Sequence, residues 1–240
     1  MARRQARFTP GEIEVDPRLE DESPNLWSEE TGEVARRLLT SAVRCFASNG
    51  YHATTTRDIS TGAGLSPAAM YVHFPSKELL LYEIMRFGHE AALESIRGPE
   101  VEQAGTSCEV LHTIVARYTA WHARHHVAAR VCQNELSALT ADHYETILQL
   151  RHETNEVLRK AVASGVADQA FVDVDVNRIV RAMLSLSIDL VRWYRLNGPD
   201  SPEQLGSYYA DLALRMVSRP PSKKASRPSS APSRRGRPAR

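Results

Sequence analysis

Apolar residues first fall into helical register at Val34, Leu38, Ala42, Cys45 and Phe46, a three- and four-residue spacing that lays one stripe along a helix opening near Thr31. Asn49-Gly50 stops it. Short helical pieces divided by Gly62, Gly64 and Pro67 come next, then a longer helix from Ser76 towards Ile96. Beyond Gly98-Pro99 the helical pattern runs to about Val217, with breaks near Gly105, Leu139 to Ala141, Gly165 and Gly198-Pro199. Alternating strands, hairpin signals and solenoid-period repeats are missing from the pattern. The chain therefore reads as all-α, in roughly nine helices.

Three helix starts crowd into the stretch after Ala53. Thr55 can cap a helix and Asp58 can return the bond in a capping box, with Ile59 and Ala63 facing inward. Gly62 and Gly64 bracket a tight turn plugged by Leu65, and Ser66-Pro67 is the N-cap and first position of a second helix. In that helix Met70 and Phe74, four apart, dock on Ile59, Leu65 and Phe46, which leaves Ala68, Ala69, Val72 and His73 outward. Pro75 ends it and Ser76 caps the next. Helix, glycine turn, helix with a small outer face suits entry into a DNA major groove, where alanine touches thymine methyls. Tyr71 and His73 offer donors to phosphates, and Lys77 lies in a helix's first turn, where an anion is already favoured. Thr56 and Arg57 face the opposite wall of the groove, and Ser66 and Pro67 open the reading helix.

Charge adds one asymmetry. Thirty Lys and Arg nearly balance 29 Asp and Glu, yet no acid follows Asp211, while Arg219, Lys223, Lys224, Arg227, Arg234, Arg235, Arg237 and Arg240 do. That end reads as a disordered basic tail over 218–240, able to add salt-sensitive attraction to phosphate. Residues 1–28, basic then acidic and rich in proline, read as a disordered arm. The cysteines, Cys45, Cys108 and Cys132, are odd in number and form no CxxC, against a disulfide framework or structural zinc. No apolar run approaches a membrane span, so a cytoplasmic protein without membrane contact is expected.

Phe46-x-x-x-Gly50-Tyr51-x-Ala53-Thr54-Thr55-x-Arg57-Asp58-Ile59, Ala63-Gly64-Leu65-Ser66 and Met70-Tyr71-x-His73-Phe74-x-Ser76-Lys77-Glu78-x-Leu80 closely resemble the DNA-binding domain of TetR-type regulators. The resemblance implies a DNA-binding domain over 29–90, with the helix-turn-helix at 55–74, a ligand-binding and dimerisation domain over 91–217, and a linking fourth helix. By position it implies backbone contacts from Tyr71, His73 and Lys77 and groove contacts from Arg57, Pro67, Ala68 and Ala69. Ala68 stands where the family usually has Gly, and Ala69 where Ser or Thr is frequent, so DNA shape takes a larger share of the reading. The implied function is a palindrome-binding homodimer, a repressor released by a small hydrophobic effector, with no cofactor.

In the second domain Val174, Ile179, Val180, Met183, Leu184, Leu186, Ile188, Leu190, Val191 and Trp193 read as a helix apolar around most of its circumference. With the next helix it offers a four-helix dimer interface, for which Val180, Leu184, Val191, Tyr208, Leu212 and Met216 are the candidates. Candidate pocket residues are Tyr118, Trp121, Leu136, Ile147, Leu150, Met183 and Ser187, although such a stripe is more often plain core. Gln133-Asn134-Glu135 and Val191-Arg192-Trp193-Tyr194-Arg195 look like actinobacterial TetR regulators of lipid and acyl-CoA catabolism. That likeness implies an acyl thioester with phosphates near Arg192 or Arg195.

His122 and His126, four apart, have the spacing of half a zinc site that His112, His143 or His152 would complete, but histidines near a helix end more often cap carbonyls. A metal- or drug-responsive regulator of the same fold stays open beside the lipid reading, as does a helical interaction module without DNA binding. An enzyme is not expected: GxSxG, Walker and GxGxxG motifs are absent.

Overall fold

In the computed structural model residues 26–28 and 30–218 are described; the basic tail and all but the last residues of the arm lie outside them. Among the described residues there are no strands. The described residues form nine α-helices of seven residues or more and one single-turn helix, α5. The first domain holds α1 (Glu33–Asn49), α2 (Thr56–Gly62) and α3 (Pro67–His73), and α4 (Lys77–Ser95) leaves it. After α5 (Pro99–Glu102) the second domain holds α6 (Ser107–Arg124), α7 (His126–Asn134), α8 (Ala141–Ala167), α9 (Val176–Asp189) and α10 (Pro202–Val217).

Local chemistry sets most boundaries where expected. Thr55 and Asp58 close a reciprocal capping box on α2, Ser66 caps α3 with Pro67 in its first turn, and Ser76 caps α4. Gly64 takes φ +66°, a left-handed conformation that glycine tolerates, and lets the chain reverse between α2 and α3. Ser41 and Arg37 of α1 donate to the carbonyls of Ile59 and Ala63 at 2.8 and 2.6 Å, so α1 satisfies the end of α2. Met70, Ile59 and Phe46 are sealed beneath.

Three boundaries differ from the sequence reading. Leu26 and Trp27, assigned to the arm, are buried, and the Trp27 indole donates to Thr40 and meets the Phe87 ring edge-on at 5.8 Å. Gly165 breaks nothing: it lies inside α8, where the Phe171 ring covers it so closely that an added Cβ would stand 2.1 Å from a ring carbon. His125, at φ −107° and ψ 34°, interrupts what reads as continuous helix, so His122 lies in the last turn of α6 and His126 opens α7.

α6 and α10 form the tightest pair. Gly206 faces Ala116 and Ala120, and a Cβ on it would stand 2.4 Å from the Ala116 carbonyl oxygen. Only a residue without a side chain fits against backbone at that range. α4 runs between the domains, packing on α1 behind it and on α6, α7 and α8 ahead.

Two consequences are measurable. Gly206→Ala should cost about 1–3 kcal/mol through forced separation of α6 and α10, read as a lower Tm. Burial holds the imidazoles of His89 and His122 down to about 4, Arg151 reinforcing the effect on His89. Unfolded histidines take a proton below about pH 6.5, so between about 6.5 and 4 the unfolded chain holds more protons. Stability should therefore fall on acidification through that window, and melts at pH 7 and 5 that superimpose would refute it.

Candidate DNA interface and effector cavity

α3 divides cleanly. Met70 is fully buried, whereas Val72 is 81% and Tyr71 52% exposed, and Ser66, Pro67, Ala68 and His73 lie open beside them. Ala69 is half-buried. Thr56, half-buried at the head of α2, shares a 3.3 Å hydrogen bond with the Tyr71 hydroxyl, which ties the two helices of the motif across their outer side. Arg57 stands exposed next to it. The structure thus brings together every helix-turn-helix residue named from sequence except in one respect.

That exception is Lys77, expected to reach a phosphate. Its ammonium turns back into the domain, donates to the carbonyls of Tyr51 and Thr54 at 2.7 Å each, and lies 4.2 Å from the centre of the Tyr51 ring. Burial lowers its pKa, partly offset by Glu135. Two of three ammonium protons are committed, so Lys77 fastens the loop before α2 to the start of α4. Spacing alone does not separate such a clamp from a phosphate contact.

In the second domain a cavity of about 200 Å³ opens between α4, α6, α7, α8 and α9. Tyr118 and Trp121 line it as expected; the other candidates do not. Ile147, Met183 and Ser187 are sealed in packing, with Ser187 accepting a 2.9 Å hydrogen bond from Thr119. Leu136 packs on the core from the turn after α7, and Leu150 sits on an outer surface beside Glu90. Arg192 is 78% exposed with Asp189 3.7 Å away, and Arg195 donates to the Tyr194 carbonyl. α9 instead presents Leu184 and Ile188, one position round from Met183 and Ser187.

The same helical phase corrects the dimer candidates. Val180 and Val191 are core and Leu184 turns to the cavity, so the outward face of α9 carries Ala182, Ser185 and the 44%-exposed Leu186 instead. On α10, Tyr208 is 57% exposed, Leu212 half-buried, and Met216 packs against the core.

Sequence reading missed the polar side of the cavity, formed by His89, His122 and Arg151. Arg151 donates through Nε to His89 Nε2 at 3.0 Å and through Nη2 to the Cys132 carbonyl and the Gln133 side chain at 3.0 and 3.2 Å. His89 Nδ1 sits 2.7 Å from the Met85 carbonyl. One ring nitrogen therefore donates and the other accepts, as only a neutral imidazole can. His122 Nδ1 likewise bonds the Tyr118 carbonyl at 2.9 Å. Burial pushes the Tyr118 hydroxyl well up and the Cys132 thiol up to about 12, so both stay protonated. Of the histidines weighed as zinc ligands, His122 of α6 and His126 of α7 each bond a carbonyl of α6, and His143 pairs with Glu78.

Comparison with known proteins agrees with this geometry. A family model described as bacterial regulatory proteins, tetR family, matches residues 38–84, and one described as tetracyclin repressor-like, C-terminal domain, matches 104–217. The HTH-type transcriptional repressor KstR2 of Rhodococcus jostii (strain RHA1) is 31% identical over 191 residues, 77% of this chain and 92% of its own. A solved regulatory protein of the tetR family from Rhodococcus RHA1 superposes with a TM-score of 0.73 at 34% identity, covering 78% of this chain and 98% of its own. The ketosteroid transcriptional regulator KstR2 of Mycobacterium tuberculosis does so at 0.70 and 27%, covering 77% and 96%. Its helix-turn-helix, its second domain and these likenesses together place the chain in the TetR family of DNA-binding transcriptional regulators.

Proposed function

We propose that the chain works in the cytoplasm as a homodimeric repressor that occupies a two-fold operator and leaves it when a small, largely apolar, lipid-derived metabolite fills the cavity. The observation that carries this is the outer face of α3, small and open over a buried Met70. Two such helices about 34–36 Å apart enter successive major grooves. The open faces of α9 and α10, with Leu186 and Tyr208, supply the pairing surface that sets that distance. Relatives named as repressors support repression over activation, and the ketosteroid regulator among the similar structures supports a lipid-derived effector.

Ligand release follows from the course of α4. Gly88 and His89 line the cavity, and three turns earlier Lys77 holds the loop that leads into α2. An effector that binds better when α4 is tilted draws the dimer away from the DNA-fitting spacing, by no more than its differential affinity for the two states.

Selection from a random DNA pool, followed by gel-shift titration, tests this reading. A palindrome should emerge, and Ala68→Glu should abolish its binding with the fold intact. Arg57→Ala should reduce the salt slope of log K by about one per subunit, while Lys77→Met should leave the slope alone and lower Tm. Leu186→Asp with Tyr208→Asp should give monomers by light scattering and lose the operator. A pool that yields no enriched sequence, or variants that retain DNA alike, would refute the assignment.

A further inference from the structure

The cavity holds one full positive charge and no negative one. Its lining contains Arg151 but neither Asp nor Glu. The acids nearest on α8 are engaged elsewhere, Glu153 with Arg97 and Glu156 with Arg159. Among the described residues no carboxylate pairs with Arg151. No other lining group is charged: His89 is neutral by its hydrogen bonds, burial keeps His122 neutral, and the phenol of Tyr118 and thiol of Cys132 remain protonated.

The guanidinium is also fixed in place. Nε and Nη2 are held by α4 and by the last turn of α7, which leaves both protons of Nη1 without a described acceptor. Arg151 is half-buried, and a cation partly withdrawn from water gains from an anionic partner. On the outside of α4, by contrast, Arg86 carries Glu83 and Glu90. The lining also includes the apolar and aromatic side chains of Trp121, Leu184 and Ile188.

Resting on the reading that this cavity takes the effector, we propose that Arg151 is the receptor for a carboxylate on an apolar body, and so determines which ligands the regulator senses. The carboxylate accepts from Nη1 while the ring or branched chain lies against Trp121 and Leu184. A pre-held guanidinium meets an oxyanion with little loss of side-chain freedom. Such a carboxylate has two sources: a free acid, or the distal carboxyl of a dicarboxylic acyl thioester whose nucleotide stays outside the cavity.

Calorimetric titration of the intact protein, without DNA, separates them. The probes are cyclohexanepropanoate against its amide, and glutaryl-CoA against butyryl-CoA. In one pair or the other the carboxylate should bind about tenfold to a hundredfold more tightly than its neutral analogue, and Arg151→Met should erase that difference. Success with the first pair assigns a free acid, and with the second a thioester. Equal affinities within both pairs, silence from all four compounds, or an unchanged preference in Arg151→Met would overturn the proposal. A thermal melt checks that Arg151→Met is folded, and the wild-type comparison within each pair stands without it. Operator binding by the wild type is scored separately, so a failure of the repressor reading is distinguishable from a failure of the ligand chemistry.

Discussion

Two consecutive side chains of opposite charge hold the molecule together. At the head of α4, the Lys77 ammonium bonds two carbonyls of the loop before α2, while Glu78 accepts from the backbone N–H of Thr140 at 2.9 Å and faces His143 Nδ1 at 2.8 Å, at the start of α8. His143 is stacked on Tyr82, ring centres 3.8 Å apart, which fixes the imidazole against α4 from a second side. Neither interaction is large alone, since each is partly open to solvent. Their adjacency matters more: one turn of one helix is tied to the loop before the helix-turn-helix on one side and to the second domain on the other.

The cavity makes that arrangement useful. α4 and α8 are joined at their starts through Glu78 and again, about three turns along α4, through His89 and Arg151. A ligand that engages Arg151 acts on the second junction, and rigid helix carries the change to the first. The α6–α10 pair, locked by backbone contact at Gly206, gives the cavity one unyielding wall. Coupling of the two sites through α4 requires that it have two discrete arrangements.

What the sequence reveals well is what depends on near neighbours. Thr55 with Asp58, Ser66 with Pro67, and Ser76 are legible because a cap and the N–H groups it satisfies lie within three residues. The inward set of Met70, Ile59 and Phe46 is legible because helical spacing repeats. Long-range commitments are hidden. Lys77 has a phosphate-ready position in its own helix, and the carbonyls it serves lie 23 and 26 residues away. Apolar density on α9 marks burial but not phase, so Met183 and Ser187 stand in for Leu184 and Ile188, and Val180 for Leu186. Arg151 is hardest to see. It sits in a helix of mixed polar residues, where an arginine ordinarily faces water.

Arg151 also illustrates why functional sites resist reading from local rules. A sequence optimised only for stability would give a half-buried guanidinium an acid or replace it with methionine. Here the helix supplies acids at Glu153 and Glu156, but their position on α8 sends them to Arg97 and Arg159. Stabilisation is withheld from the cavity and left for a ligand to provide. That withheld pairing gives the ligand its differential affinity: a carboxylate gains most where Arg151 is held and unopposed, so the conformation that best presents the guanidinium is the one the effector populates.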